Sequence, residues 1–209
     1  LAAFYRKIRL AHVEAGLRTN DKYSPFPEEI NRRLVGALAD LHFAPTEQAV
    51  RNLRKEGIPA SKILRTGNTV TDALLWAARK IRRNPPPRVP GIPPPAKGRK
   101  LVLVTGHRRE NFGGGLEQIC RALKAAAAAC PELDFVYPVH LNPNVKAPVH
   151  RLLGGQPRIC LVPPVSYPEM VALLRRAWLV VTDSGGIQEE APTFGVPVLV
   201  TRDTTERPE

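Results

Sequence analysis

The chain has 209 residues, 43% of them hydrophobic, and a formal net charge of +12. This composition suits a globular protein with one good core or two smaller ones, and its apolar runs fall far short of the about 20 residues of a membrane-spanning helix. The basic residues are scattered in short clusters without interleaved aromatic side chains, which argues against a nucleic-acid-binding surface. Three cysteines without metal-ligand spacing favour a reduced, cytoplasmic protein without a metal site.

Hydrophobic periodicity predicts alternating strands and helices along most of the chain. In chain order these are strand 8–13, helix 27–39, strand 41–44, helix 46–56 with Thr46 as its cap, strand 62–68, helix 69–83, strand 101–106, helix 116–130, strand 133–139, helix 146–153, strand 159–163, helix 167–177, strand 178–185, a helix from about 187, and strand 196–201. Between the helix at 69–83 and the strand at 101–106, the segment 84–98 holds seven of the 22 prolines and is expected to be a linker or surface loop.

The later strands are almost continuously apolar, which is typical of strands buried on both faces. We therefore predict an α/β fold with parallel, doubly wound sheets that bind ligands at the carboxyl ends of their strands. The loops leaving those ends are rich in His, Arg and Glu, which folding alone does not require.

The segment TGHRRENFGGG places His107, Arg108, Arg109 and Glu110 directly after a strand and three glycines before the next helix. Backbone N–H groups and guanidinium groups suit a diphosphate, and His107 could act as a general acid or base. The alternative is an ordinary solvated turn.

Carboxylates follow an earlier strand, in HVEAGLRTNDKYSPFPEEINRR. Glu28 and Glu29 begin a helix, where a carboxylate can simply stabilise the helix dipole by ~0.3–1 kcal/mol. Glu14 ends an apolar strand, where a carboxylate is costly unless it meets a cation or takes part in chemistry.

In TDSGGIQEE, Ser184 is predicted to begin a helix, with the amides of Gly185 and Gly186 available behind it. Glu190 lies six residues further on, where a carboxylate suits the hydroxyls of a ribose. Phosphates on the amides and a ribose on the glutamate together indicate a nucleoside diphosphate ligand.

The motifs HVEAGLRT, SPFPEEINRR, TGNTVTDALL, TGHRREN, YPVHLNPNV, TDSGGIQEEAP and RDTTERPE, in this order, resemble the bacterial non-hydrolysing UDP-N-acetylglucosamine 2-epimerases from residue 9 to 209. The resemblance implies two Rossmann-like domains of the GT-B type, with residues 1–67 in the first and 68–209 in the second, UDP-binding domain. It also implies a cytoplasmic homodimer that needs no cofactor.

Such enzymes interconvert UDP-N-acetylglucosamine and UDP-N-acetylmannosamine by eliminating UDP and adding it back to 2-acetamidoglucal. By this resemblance Glu14, Glu28 and His107 are catalytic, Ser184 contacts phosphate and Glu190 contacts ribose. Arg202, Glu206 and Arg207 lie in a substrate-binding motif, and His140 resembles a residue near an activating second site.

Two family segments do not occur in this sequence: a Gly-Thr-Arg-Pro-Glu loop and a Gly-Asp-Thr segment with a further catalytic Asp. The 209 residues alone are therefore expected to bind UDP poorly and to show no turnover. The alternatives are a GT-B glycosyltransferase, a hydrolysing epimerase, a basic nucleic-acid-binding module, and an inert gene fragment.

Overall fold

The computed structural model describes residues 1–86, 88–92, 94 and 96–207. The chain forms two compact units: unit 1 comprises Leu1–Thr69 with Asp203–Glu209, and unit 2 comprises Val70–Arg202. The domain boundary predicted at residues 67 and 68 stays a prediction. No helix in the described part of the chain is long and apolar enough to cross a membrane.

Unit 1 is built on a parallel sheet with the strand order β1-β2-β3. Its strands are β1 (Ala11–Val13), β2 (Leu41–Ala44) and β3 (Ile63–Arg65), and its helices are α1 (Ala2–Tyr5), α2 (Glu28–Leu38) and α3 (Glu47–Lys55). The first strand begins three residues later than predicted. A small core of Ala15, Ala44, Ala49 and Leu53 packs α3 against the sheet.

Two local interactions fix the position of α3. Thr46 caps the helix as predicted, because its hydroxyl accepts a hydrogen bond from the Ala49 amide at 3.1 Å. Gly16 has a φ of 90°, and a Cβ there would lie 2.3 Å from the Ala49 carbonyl oxygen. Only glycine allows the loop after β1 to approach α3 this closely.

Unit 2 is a five-stranded parallel sheet with the order β6-β5-β4-β7-β8. Its strands are β4 (Lys100–Thr105), β5 (Leu133–Pro138), β6 (Ile159–Val162), β7 (Leu179–Thr182) and β8 (Val198–Val200). Its helices are α4 (Thr69–Arg83, beginning at the last residue of unit 1), α5 (Gly114–Ala129), α6 (Pro143–Leu153), α7 (Tyr167–Arg176) and α8 (Gly185–Thr193).

Helices cover both faces of this sheet. Leu101 and Leu103 of β4 belong to a core cluster that includes residues of α4, α7 and α8, whereas Val102 and Val104 belong to a second cluster with residues of α5 and α6. Because successive side chains of a strand point to opposite faces, a strand buried on both sides must be apolar throughout. The predicted α/β class with parallel sheets is confirmed.

The proline-rich segment 84–98 forms neither helix nor strand in its described residues. Val89 and Ile92 nevertheless pack against the first core cluster of unit 2. Pro87, Pro93 and Pro95 of this segment lie outside the described residues, as do Pro208 and Glu209 of the RDTTERPE motif.

Candidate functional site

The strand order of unit 2 reverses direction between β4 and β7, and ligands bind to α/β sheets at such a switch point. A cavity of about 240 Å³ opens there, beside the carboxyl ends of both strands. This volume is below the range of about 300–1,000 Å³ that is usual for whole ligand sites, so it suits part of a nucleotide sugar. It is lined by Thr105, Gly106, His107, Pro138, His140, Pro164, Val165, Met170, Ser184 and Ile187.

The buried carboxylate of Asp183, which directly follows β7, organises the loop after β4. It accepts hydrogen bonds from the amide of His107 at 3.0 Å, the amide of Arg108 at 2.9 Å and the side-chain amide of Asn111 at 3.1 Å. Asp183 is 1% exposed, and these donors compensate for its lost hydration. The loop that carries the predicted His and Arg residues is therefore bonded to the neighbouring strand.

His107 lies at the cavity between Asp183 and His140. Its Nδ1 atom is 3.4 Å from an Asp183 carboxylate oxygen, and its ring stacks on that of the exposed His140 with 5.8 Å between centroids. Burial lowers the pKa of His107 below its usual 6.5, Asp183 acts in the opposite direction, and Arg108, His140 and Arg202 add to the lowering.

Ser184 takes the N-cap position of α8, as predicted. Its amide donates to the Thr182 hydroxyl at 2.9 Å, and Thr182 in turn bonds the Thr105 hydroxyl of β4 at 2.5 Å. The Ser184 side chain makes no capping hydrogen bond, and Gly185 and Gly186 form the first turn of the helix. A helix N-terminus of this kind presents backbone N–H groups and the positive end of the helix dipole.

Glu190 projects from α8 and is 6% exposed. Its carboxylate accepts a hydrogen bond from the Tyr167 hydroxyl of α7 at 3.1 Å. Burial raises the pKa of Glu190, although the bond from Tyr167 opposes that rise. Burial and the neighbouring carboxylate raise the pKa of Tyr167 to about 12, so Tyr167 stays a hydrogen-bond donor at neutral pH.

The predicted residues Arg109, Glu110 and Arg202 lie in the loops that follow β4 and β8, which contact each other. Arg202 donates to the Glu110 carboxylate at 2.6 Å, and Asn111 donates to the backbone carbonyl of Thr201 at 3.0 Å. Arg109 is exposed in the short 3-10 turn that carries Glu110 and Asn111. The loops that follow β4 and β8 are thereby joined.

The other predicted site residues, Glu14, Glu28, Glu206 and Arg207, belong to unit 1. Glu14 follows β1 with a φ of 60°, a backbone conformation that residues other than glycine rarely adopt and that clusters at functional sites. Its side chain is 42% exposed, and one of its oxygens lies 3.9 Å from the Arg207 guanidinium. This carboxylate is accessible to a ligand.

Glu29 is fully buried at the start of α2. It accepts hydrogen bonds from the amides of Thr19 and Asn20, at 3.0 and 3.2 Å, and from Arg33 at 3.2 Å. The adjacent Glu28 is only partly buried. Of the two glutamates in this motif, Glu29 therefore holds the loop after β1 in place.

The segment Asp203–Arg207 brings one cation, Arg207, close to Glu14 of unit 1. Glu206 is 3% exposed and binds the Arg207 guanidinium at 2.6 Å and the Arg32 guanidinium at 3.3 Å. In this arrangement Glu206 orients Arg207, which in turn faces Glu14.

Comparison with known proteins identifies the family of the chain. The family model described as UDP-N-acetylglucosamine 2-epimerase matches residues 1–209, the entire chain. The chain belongs to the UDP-N-acetylglucosamine 2-epimerase family. The family member from Escherichia coli K12, named UDP-N-acetylglucosamine 2-epimerase, is 54% identical over 215 residues, which cover 100% of this chain and 56% of that protein.

Solved structures of the epimerase family agree with the fold. The Neisseria meningitidis UDP-GlcNAc 2-epimerase bound to UDP-GlcNAc matches 99% of this chain and 56% of its own, with a TM-score of 0.93 and 47% identity. The Methanocaldococcus jannaschii enzyme in complex with UDP-GlcNAc and UDP covers 99% of this chain and 57% of its own, with a TM-score of 0.80 and 34% identity. The chain thus spans little more than half the length of these relatives.

Several polar residues that build the two edges of this family member were not singled out from the sequence. Asp183, Asn111 and Tyr167 of unit 2 and Arg18 of unit 1 are the main ones. Arg18 is buried and forms a two-pronged ion pair with Glu56 at 2.7 and 2.8 Å. The strand-end argument that selected Glu14 applies equally to Asp183, whereas the partners of the others lie too far away in sequence to be recognised.

Proposed function

We propose that the protein carrying this chain interconverts UDP-N-acetylglucosamine and UDP-N-acetylmannosamine by epimerisation at C2. The main support is the family match over residues 1–209, together with more than half identity to enzymes named for this reaction. The activity is assigned to a full-length protein of the relatives' size, because the chain covers 56% of the Escherichia coli relative.

The nucleotide is assigned to unit 2. In this proposal the diphosphate lies at the N-terminus of α8, where the amides after Ser184 point out of the helix. Glu190, almost two helical turns further on, binds the ribose hydroxyls. The cavity at the switch point, with apolar side chains such as Pro138 and Met170, takes the base or another flat part of the ligand.

The proton transfers are assigned to unit 1. Elimination breaks the bond between C1 and the diphosphate oxygen, removes the proton from C2 and leaves a C1–C2 double bond in 2-acetamidoglucal. Re-addition of UDP and delivery of a proton to the opposite face of C2 give the epimer. Glu14 is accessible and next to Arg207, so it suits the role of base, and Glu28 is assigned as the partner acid.

The departing diphosphate needs positive charge or hydrogen-bond donors. His107, Arg108, Arg109 and Arg202 of unit 2 are assigned to it, and Glu110 orients Arg202. In unit 1, Arg207, which Glu206 orients, is assigned to the substrate beside Glu14. Gly185 and Gly186 contribute amides. His140, stacked on His107, remains the candidate for contact with an activating second nucleotide sugar, and the full-length protein is proposed to be a homodimer.

The test is to incubate a full-length protein carrying this sequence with UDP-N-acetylglucosamine in heavy water, without an acceptor. The proposal expects UDP-N-acetylmannosamine with deuterium at C2. Free N-acetylmannosamine with UDP would indicate a hydrolysing enzyme instead. No change without an acceptor, but sugar transfer once one is added, would indicate a glycosyltransferase.

A further inference from the structure

Asp183 is the most heavily hydrogen-bonded side chain at the edge of unit 2, yet it has no role in the proposed chemistry. Its two oxygens receive two backbone amides and one side-chain amide from residues 107–111, which lie more than seventy positions earlier in the chain. Only 1% of Asp183 is exposed, so this carboxylate cannot contact a ligand directly. Any effect of Asp183 on a ligand must pass through these neighbours.

The neighbour of greatest chemical interest is His107. Asp183 accepts a hydrogen bond from the backbone amide of His107 at 3.0 Å. One of its oxygens also lies 3.4 Å from the ring nitrogen Nδ1 of the same residue. A carboxylate oxygen can only accept a hydrogen bond, so this contact favours a hydrogen on Nδ1 over a lone pair facing the carboxylate. In that tautomer the second ring nitrogen, Nε2, keeps its lone pair.

Two further contacts restrict the loop on either side of His107. The Tyr137 hydroxyl donates to the Gly106 carbonyl at 3.4 Å, and a Cβ on Gly106 would lie 2.8 Å from that hydroxyl, so only glycine fits there. On its far side the His107 ring stacks on His140. With its backbone bonded, its ring stacked and Nδ1 facing a carboxylate, His107 has little freedom to turn.

We propose that Asp183 is a positioning residue that holds His107 in the Nδ1–H tautomer, with Nε2 available to the ligand at the cavity. The inference rests on the proposed function for its meaning: in the neutral ring Nε2 can only accept a proton, and the imidazolium that then forms donates its Nε2–H to the departing diphosphate. A carboxylate on Nδ1 makes Nε2 a better proton acceptor and stabilises the imidazolium once it forms.

The charged groups around His107 also affect its pKa. Asp183 opposes the effect of burial on its pKa, whereas Arg108, His140 and Arg202 reinforce it. Replacing Asp183 by a neutral side chain therefore moves the pKa of His107 further down. The acidic limb of a pH–rate profile that reports His107 would move to lower pH in such a variant.

A double-mutant cycle in the full-length protein separates positioning from simple support of the fold. The variants are Asp183→Asn, His107→Gln and the combination of both, each measured for kcat, KM and UDP affinity. We expect Asp183→Asn to lower kcat by ~10- to 100-fold, as for carboxylates that support a functional histidine, with UDP affinity nearly retained. In the His107→Gln background the same change should have no further effect on kcat.

Asp134→Asn is the matched control, because Asp134 is an ion-paired aspartate of the same unit that lies at the amino end of β5, bonded to Arg99. It should leave kcat unchanged. Independent, multiplying effects of Asp183→Asn and His107→Gln would overturn the inference, as would a parallel loss of kcat, UDP affinity and thermal stability in Asp183→Asn.

The tautomer itself is measurable in the unmutated protein, so the inference stays testable even when Asp183→Asn does not fold. Nitrogen NMR of histidine-labelled protein, with His107 assigned through His107→Gln, should show a proton on Nδ1. A proton on Nε2 in the neutral ring would overturn the inference. This measurement does not depend on epimerisation, so its failure is distinguishable from failure of the proposed function.

Discussion

Both units of this chain carry a buried carboxylate that holds a loop in place, and unit 1 also carries an accessible one; comparing them shows which carboxylates are structural and which can meet a ligand. Glu29 in unit 1 and Asp183 in unit 2 are fully or almost fully buried, and both accept hydrogen bonds from successive backbone amides of a motif loop. In the described part of the chain Glu14 accepts no hydrogen bond from a backbone amide, and its side chain is 42% exposed. The buried pair shapes the loops, whereas Glu14 is left accessible.

Glu190 is intermediate between these two kinds. It is buried, but it accepts its hydrogen bond from a side chain, the Tyr167 hydroxyl, whereas Glu29 and Asp183 accept from backbone amides. A buried carboxylate with a single neutral donor is only partly compensated, which is why burial raises its pKa. Such a group gains from a ligand that adds hydroxyl donors, as a ribose does.

The largest effect is expected from Glu14→Gln, which keeps the shape of the side chain and removes its ability to take a proton. Epimerisation and deuterium uptake at C2 should fall by ~10²- to 10⁴-fold, with UDP affinity retained. Glu47→Gln, an exposed change in the same unit, is the control. Deuterium uptake at the rate of the unmutated protein would remove Glu14 from the mechanism.

Glu29→Gln should act on stability instead of chemistry. One oxygen acceptor is replaced by an amide donor that faces the Thr19 or Asn20 amide, and the ion pair with Arg33 is lost. We expect a loss of about 2–4 kcal/mol in the free energy of unfolding, measured by chemical denaturation. Glu28→Gln, one residue earlier and partly buried, should cost less stability but more activity. Equal losses of stability would contradict the distinction between the two glutamates.

The sequence predicts regular elements better than it predicts these carboxylate roles. Helix α4 has the predicted bounds, Thr69–Arg83, and β2 has the predicted bounds, Leu41–Ala44, because local periodicity decides both. Helix α6 begins three residues earlier than predicted, at Pro143, since Asn142 caps it and proline is compatible with the first helical position.

Local sequence patterns do not predict the role of a side chain when its partners lie far away in the sequence. Glu28 and Glu29 are adjacent and chemically identical, and only the fold shows that Glu29 turns inward to Thr19 and Asn20. Asp183 is visible in the sequence as a polar residue after a buried strand. Its partners His107 and Asn111 come next to it only through the pairing of β4 with β7.

A smaller effect is expected from Tyr167→Phe, which tests whether Tyr167 supports ligand binding by Glu190. The change removes the hydrogen bond to Glu190 without altering the ring, and UDP affinity should fall by a factor of ~2 to 10, as for the loss of one hydrogen bond. Tyr23→Phe, on an exposed tyrosine of unit 1, should leave the affinity unchanged. Calorimetric titration with UDP measures both, and an unchanged affinity in Tyr167→Phe would show that Glu190 needs no support from α7.

The smallest effect concerns two histidines, one in each unit, whose pKa values burial lowers. Burial lowers the pKa of His42 in unit 1 and of His107 in unit 2 below 6.5. The unfolded chain then binds more protons than the folded one at acidic pH, so stability is fully present above pH 6.5 and declines as the pH falls through the folded-state pKa values. For the fully buried His42 this contribution is at most about 1.4 kcal/mol per pH unit.

Denaturation curves recorded from about pH 8 to about pH 5 should therefore show a slope that becomes smaller in His42→Gln. His42 is the stronger test of the two, because it is fully buried in β2, whereas the His107 side chain is 39% exposed. Burial is the largest cause of the lowered pKa of His42; Lys62 and Arg18 add to it, whereas the Ala39 backbone and Glu56 act in the opposite direction. His150→Gln, on an exposed histidine of α6, should leave the slope as it is. If His42→Gln keeps the slope of the unmutated protein, His42 carries none of the acid sensitivity.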